Sequence, residues 1–313
     1  MFFANILACI KARYAEPYGY IAAVNGKIGR IVEVISSLLC VRFLRLILRF
    51  DVAFFLTTNS FGSYGSTMTD VIFLPGVIAP AADRYEAVRS KMPEIVSIAK
   101  ELEVYSSDSP PSGYSIQTEM AGIDAIADAV GFNRFHLYGH SGGGAISLAY
   151  AAARPSRLLS LVVDEPATDF TTEDINDPYW NLINETTLLS APHALTAFLR
   201  LQLMPGIDLP PRPDGPPPPW LAKRPAGIEA FASALRRHHI EHDRYESFTR
   251  PVLYTFGSLS HPRWVQMRDR LQNLFPDFQA MLFEGLHHLN TSHQAEPAQT
   301  AELLTRFWNR AEI

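Results

Sequence analysis

Cysteine is scarce in this chain: Cys9 and Cys40 are the two present, both near the N-terminus. No disulfide framework and no CxxC pair can be built from them, so a reducing compartment is expected. Positive charge is in deficit as well, with 27 Lys and Arg against 32 Asp and Glu, a net charge of -5 and a pI near 6.1. The broad basic surface that a nucleic-acid partner requires is therefore missing. Long apolar runs are missing too. The longest uncharged stretches near the N-terminus are about ten residues, too short to span a bilayer. Met1–Ile10 is apolar but has no basic start, which gives little support to a secretory leader. A cytoplasmic address is the expectation, with peripheral membrane contact as an addition to it.

What is present is bulk apolar content. The 313 residues are 47% hydrophobic, enough for one large domain or a domain carrying an inserted subdomain. Residues 1–50 hold seven Lys and Arg against two Glu, a net of +5, leaving -10 for the remainder. Within them, Arg42, Arg45 and Arg49 recur at spacings of three and four among Leu, Ile and Phe. A basic amphipathic helix over residues 30–50 could lie on an anionic membrane or pack its apolar side on protein. Residues 1–50 are read as a basic amphipathic extension with either fate.

Beyond it the pattern alternates. Residues 52–57 (VAFFLT) and "DVIFLPGV" (Asp70–Val77) read as strands, the second as a buried parallel one ended by Pro-Gly. A helix over about Arg84–Leu102 follows, then a short strand at "LEVYSSD". Ser115 caps a helix with Ile116, Met120, Ile123, Ile126 and Val130 on one face, ended near Gly131. "FHLYG" is a strand, Gly143–Ala153 a helix stopped by Pro155, and Leu158–Ala167 another strand with an acidic end. The alternation breaks over 168–247. That stretch holds helical pieces and the proline-dense "PGIDLPPRPDGPPPPW" (Pro205–Trp220), expected to be extended and stiff. It resumes with strands at "PVLYTFG" and "FQAMLFEG" and helices at "WVQMRDRLQNLF" and "AQTAELLTRFWNRA". The expected architecture is α/β, a mostly parallel sheet flanked by helices, with a core of 51–167 and 248–313 and a cap of 168–247.

The chemistry centres on Gly139-His140-Ser141-Gly142-Gly143, between a strand and a helix. A turn this sharp strains the serine, and its neighbours at minus two and plus two must be nearly free of side chain. The hydroxyl is then exposed at a helix N-terminus, where developing negative charge is favoured. The competing reading is a packing turn with an inert serine. On this motif and its strand–helix context the sequence resembles the α/β-hydrolase fold superfamily, over about Val71–Ala311. The resemblance implies a Ser–acid–His triad in chain order, an oxyanion hole, and a helical cap after the family's sixth strand, which here is Leu158–Ala167.

The resemblance puts the base in a Gly-x-x-His turn after the last strand. Gly285-Leu286-His287-His288 supplies it, with His288 in place and His287 as the neighbour if the turn shifts. It usually puts the acid in a Gly-x-x-Asp turn, but here that turn reads Gly257-Ser258-Leu259-Ser260, and serine cannot hold a charge beside an imidazolium. Some members place the acid in an acid-Pro-Ala turn after the sixth strand. Glu165-Pro166-Ala167 is similar to that turn, with Asp164 as the second choice because alternate strand residues face opposite sides. A strand-end charge paired with an arginine is the plain structural reading of either carboxylate. The oxyanion donors implied are the Gly142 N–H and one from the loop after "VIFLPG", with Val77 first and Ile78 behind it.

Trp180, Trp220, Phe198, Leu201 and Met204 are candidates to line an apolar pocket, and His140 to line it or pack. His238 and His242 fall i, i+4 on an expected helix, but no clustered carboxylate or Cys completes a metal site, so no metal and no cofactor is expected. The leading expectation is a serine hydrolase cleaving a small or lipophilic carboxylic ester, a small-molecule partner, through an acyl-enzyme at Ser141. The alternative is a ligand-binding or receptor-like protein on the same scaffold, with weak or no turnover, motivated by Ser260 in the acid's usual place.

Overall fold

The computed structural model describes residues 69–186, 191–211 and 215–312. The strand expected at 52–57 and the basic segment of 1–50, with Arg42, Arg45 and Arg49, lie outside the described residues.

Among the described residues, six strands form one parallel sheet: β1 Asp70–Leu74, β2 Val96–Ala99, β3 Phe135–His140, β4 Leu158–Asp164, β5 Val252–Gly257 and β6 Phe278–Phe283. Their spatial order is β2-β1-β3-β4-β5-β6. Because side chains alternate along a strand, the sheet feeds two cores. Ile72, Leu74, Leu137, Leu161 and Val163 face one. Val71, Phe73, Tyr138, Val162 and Leu253 face the other. Among the helices, α1 (Ala81–Arg89) and α11 (Pro297–Ala311) cover the second face through Tyr85, Val88, Leu304 and Trp308. On the first face lie α2 (Ile116–Val130), α3 (Gly142–Ala153) and α9 (Arg263–Leu274). This two-sided burial is why β1, β3 and β4 read as near-continuous apolar runs.

The helix α2 starts at Ser115, whose side chain and that of Thr118 cap each other's backbone, and ends on Gly131 at φ 84°. The α1 region departs from expectation. The helix stops at Arg89, and β2 occupies 96–99, inside the stretch read as helix; "LEVYSSD" holds instead a single 3-10 turn, Glu103–Tyr105. Pro93 cannot continue a helix, and past it Val96 and Ile98 alternate as a strand requires.

Between β4 and β5 the described residues hold the helices α4 Thr172–Ile175, α5 Tyr179–Thr186, α6 Ala191–Arg200, α7 Arg224–Arg237 and α8 His242–Glu246, and the described part of the proline-dense stretch between α6 and α7 is non-helical up to Pro218. This insertion follows β4, Leu158–Asp164. Its base is fixed by a buried ion pair, Arg263 to Asp174 at 2.7 Å, and a part-buried one, Arg270 to Asp169 at 2.8 Å. His238 and His242 are not on one helix, because α7 ends at Arg237 and α8 begins at His242. His238 instead packs edge-on against Phe170 at 5.0 Å. Among the described residues no helix is long and apolar enough to cross a membrane.

Candidate active site

The chain leaves β1 toward β2 on one side and returns to β3 on the other. The crevice at that reversal, beyond the carboxyl ends of the strands, is where an open α/β sheet accepts ligands. Val77 follows β1 and Ser141 follows β3, so both flank it. Ser141 holds φ 52° and ψ -114°, a conformation that L-residues avoid. The packing around it explains the glycines. A Cβ on Gly139 would strike the Gly143 carbonyl and the Ser147 hydroxyl, and one on Gly143 would strike the Leu74 and Pro75 carbonyls. The turn is held from both sides, by Ser141 N–H to the Asp164 carbonyl at 2.9 Å and Gly143 N–H to the Pro75 carbonyl at 3.0 Å.

His288 follows β6 and the left-handed Gly285 (φ 74°). Its Nε2 lies 3.0 Å from Ser141 Oγ, and its Nδ1 lies 2.7 Å from Glu165 Oε2. The other oxygen of Glu165, Oε1, accepts the Gly257 N–H at 2.7 Å. His287 is turned away: its Nδ1 accepts N–H groups of Leu289 and Asn290 from its own turn. Ser141, His288 and Glu165 thus form one continuous hydrogen-bonded line, in chain order Ser–acid–His.

Asp164 takes no part in that line. It stands in register with His140 of β3 and Thr255 of β5, so the three side chains share one face of the sheet. There Asp164 accepts the Thr255 hydroxyl at 2.8 Å and the Tyr138 hydroxyl at 3.2 Å, and meets His140 Nδ1 at 3.0 Å and His293 Nδ1 at 3.2 Å. Glu165 reaches the opposite side because its own backbone turns into the left-handed region, φ 46°, as β4 ends.

Burial raises the Glu165 carboxyl from its ordinary value to about 8, and the charge of Asp164 adds to the rise. Burial lowers the His288 imidazole, and the Arg84 cation lowers it further. Asp164 moves the other way. Burial alone raises its carboxyl, but hydrogen bonds from His140 and His293 outweigh that and hold it well below the usual carboxylate range.

Ser141 opens on a cavity of about 500 Å³. Its wall is mainly apolar, with Trp180, Ile183, Phe198, Ile228 and Phe231 prominent, and with Val77 and Gly142 beside the serine. The Val77 side chain lies directly over Gly142, and the Val77 carbonyl accepts the Tyr105 hydroxyl at 2.7 Å. Of the residues expected to line a pocket, Trp180 and Phe198 do so. His140 does not: its ring is buried on Asp164, behind the serine. Trp220 also stands off the wall, its ring 5.2 Å from the Arg224 guanidinium; Leu201 and Met204 are likewise outside the wall. Sequence reasoning missed His293, Thr255 and Trp264. Thr255 becomes a neighbour of Asp164 only through strand order, His293 through the packing of the helix Ser292–Ala295, and Trp264 meets His288 only through folding of α9. Among the described residues no group of three or more His, Cys, Asp or Glu could hold a metal ion.

Comparison with known proteins agrees with the fold. The family model of the alpha/beta hydrolase fold matches residues 105–188. A Caulobacter segnis protein named "Putative carbamate hydrolase RutD" is 33% identical over 92 residues, 29% of this chain. The matched stretch spans 34% of that relative, about a third of its length. Among solved structures, an esterase from Thermogutta terrifontis superposes with a TM-score of 0.61 at 14% identity, over 79% of this chain and 92% of that one. MenH from S. aureus gives 0.60 at 16%, over 81% and 98%. A membrane phospholipase A, a bacterial virulence factor, gives 0.56 at 18%, over 91% and 98%.

Proposed function

We propose that this chain, which has the α/β-hydrolase fold, is a serine hydrolase acting on a small or lipophilic carboxylic ester through an acyl-enzyme at Ser141. The observation that carries this reading is the line Ser141–His288–Glu165 opening on an apolar cavity. Ser141 Oγ attacks the ester carbonyl while His288 Nε2 takes its proton. The carbonyl oxygen becomes an oxyanion beside the N–H groups of Gly142 and Val77, which are fixed before the reaction begins. Imidazolium formed at His288 faces the Glu165 carboxylate, then returns the proton to the leaving alkoxide. Water, deprotonated by the same nitrogen, attacks the acyl-enzyme and releases acid and free Ser141. The same residues serve amide or carbamate cleavage, so the ester preference rests on the lining of the cavity.

The ligand-binding alternative loses its motivation at Ser260. An acid is missing from the usual turn, yet Glu165 stands at 2.7 Å from His288 in its stead. Reaction with a fluorophosphonate followed by a panel of p-nitrophenyl esters tests the proposal. Wild type should be labelled and Ser141→Ala should not, and ester cleavage should favour apolar acyl chains. Labelling that survives Ser141→Ala would sink it. Membrane contact through residues 30–50 is a separate element of the proposal. Flotation with anionic vesicles should fall when Arg42, Arg45 and Arg49 are all replaced by Ala, and no binding by wild type removes it.

A further inference from the structure

Three aromatic rings are stacked at the candidate site, and three consecutive residues hold them. Asp164 Oδ2 meets His140 Nδ1 at 3.0 Å. Glu165 Oε2 meets His288 Nδ1 at 2.7 Å. The Pro166 carbonyl accepts the Trp264 indole N–H at 3.1 Å. The rings stand in the same order. Trp264 lies flat on one face of His288, centroids 4.4 Å apart and planes 14° from parallel. His140 covers the other face at 4.7 Å and 38°. Trp264 and His140 are both buried, so neither face of His288 is left to water.

We propose that Trp264 is a positioning residue for the hydrolytic reaction: its indole face fixes the plane of His288 and stabilises the imidazolium formed there, while His140 closes the opposite face. This rests on the reading of His288 as the base. The indole carries the strongest negative face among side chains, and a desolvated cation over it is held better than one at an exposed site. The contact strengthens when His288 gains a proton, so it favours the transition state over the resting state. His140 suits the other face because it carries no second cation. Burial and the nearby Arg84 hold its imidazole neutral. The indole is tied to Pro166, next to the acid, so one turn sets both the charge and the plane of the base.

Several groups face His288 besides Trp264. They are Asp164 and Glu165 from the end of β4, His140 from β3, Arg84 from α1, Arg263 from α9 and His287 in its own turn. All remain when Trp264 alone is changed, so a shift in the pH profile can be assigned to the ring. The variants are Trp264→Leu, which keeps apolar volume without a π face, and Trp264→Phe, which keeps a weaker face without the N–H. With p-nitrophenyl butyrate as probe, Trp264→Leu should lower kcat about tenfold, with KM within about twofold, and Trp264→Phe should fall between it and wild type. The acid limb of kcat/KM should move to lower pH in the order wild type, Phe, Leu, because the proton shared by the coupled Glu165–His288 pair is supported by the indole face whenever it sits on the imidazole. Fluorophosphonate titration of active sites corrects every rate for misfolded protein. Fluorinated tryptophans placed at position 264 weaken the face with little change of shape. They keep the question decidable if the leucine variant does not fold: kcat should fall stepwise with fluorination. A flat fluorination series, or an acid limb that does not move while the active fraction alone drops, overturns the proposal and leaves Trp264 as packing. Failure of the parent reading looks different, since wild type would then show no labelling and no esterase activity at all.

Discussion

Two neighbouring carboxylates at the end of β4 end in opposite circumstances. Asp164 is surrounded by partners from two neighbouring strands and the short helix Ser292–Ala295, with Thr255, Tyr138, His140 and His293 all within 3.2 Å. Glu165 has a backbone N–H on one oxygen and a histidine on the other, and that histidine continues to a serine at a cavity. Both are buried, both touch imidazole, and only one line reaches open space. A buried acid–histidine contact is thus no mark of catalysis by itself; what distinguishes the Glu165 side is that its line leads out to a strained hydroxyl.

The contrast can be broken by substitution. The largest effect is expected from Ser141→Ala, which should lower kcat by on the order of 10⁴- to 10⁶-fold in a p-nitrophenyl ester assay, with the cavity still able to bind a substrate analogue. Glu165→Gln should cost about 10²- to 10⁴-fold in kcat, because a neutral amide neither orients the correct tautomer nor stabilises the imidazolium. Asp164→Asn should act on the other axis. It should destabilise the chain by about 3 kcal/mol in denaturant melts, with kcat per labelled active site changed only severalfold. Equal losses of kcat per active site in the two variants would erase the distinction.

Ser260 offers a milder way to sharpen it. It is buried beside Glu165, in the turn where the resemblance expects an acid. In the Glu165→Gln background, Ser260→Asp should recover about tenfold of the lost rate if that position still addresses His288. No recovery means that the turn has moved away from the base and the two acid positions are not exchangeable.

The smallest effects concern pH. In the proposed reaction Glu165 must be ionised, and its carboxyl is raised to about 8 by burial and the Asp164 charge. His288, lowered by burial and by Arg84, is already neutral in that range. Therefore kcat/KM should rise with pH and level off above about 8, and this limb should vanish in Glu165→Gln. Stability should run the opposite way. Between the ordinary value of 4.5 and about 8 the folded chain holds a proton that the unfolded chain lacks. Stability then falls as pH rises through that window, and Glu165→Gln should flatten the fall. Urea melts from pH 5 to 9 check it, and an unchanged slope in Glu165→Gln would assign the dependence to another group.

Much of this layout is legible in the sequence, for local reasons. The run "FHLYGHSGGG" specifies a strand, a turn that only glycine neighbours can make, and a helix, all within ten residues. Gly285-Leu286-His287-His288 is equally local. The pocket lining was less legible. Trp180 and Trp220 look alike in sequence, yet the first faces the cavity and the second pairs with Arg224, because apolar periodicity does not say which neighbour an inserted helix will meet. The error at β2 had a local cause, since Pro93 interrupts a pattern that otherwise continues as helix.

The sequence by itself determined the parallel α/β alternation, the strained elbow at Ser141, the turn carrying His288 and a short list of two acids. Tertiary structure alone decided which of those two meets His288. The register of β3, β4 and β5 puts His140, Asp164 and Thr255 in one row and commits Asp164 there, while the left-handed turn at Glu165 sends the next carboxylate across to His288. Pairing between strands far apart in the chain is a long-range property, and no window of residues contains it. The three-ring stack has the same origin, because Trp264, His140 and His288 belong to separate parts of the chain and meet only once α9 and the turn after β6 have packed at the ends of the strands.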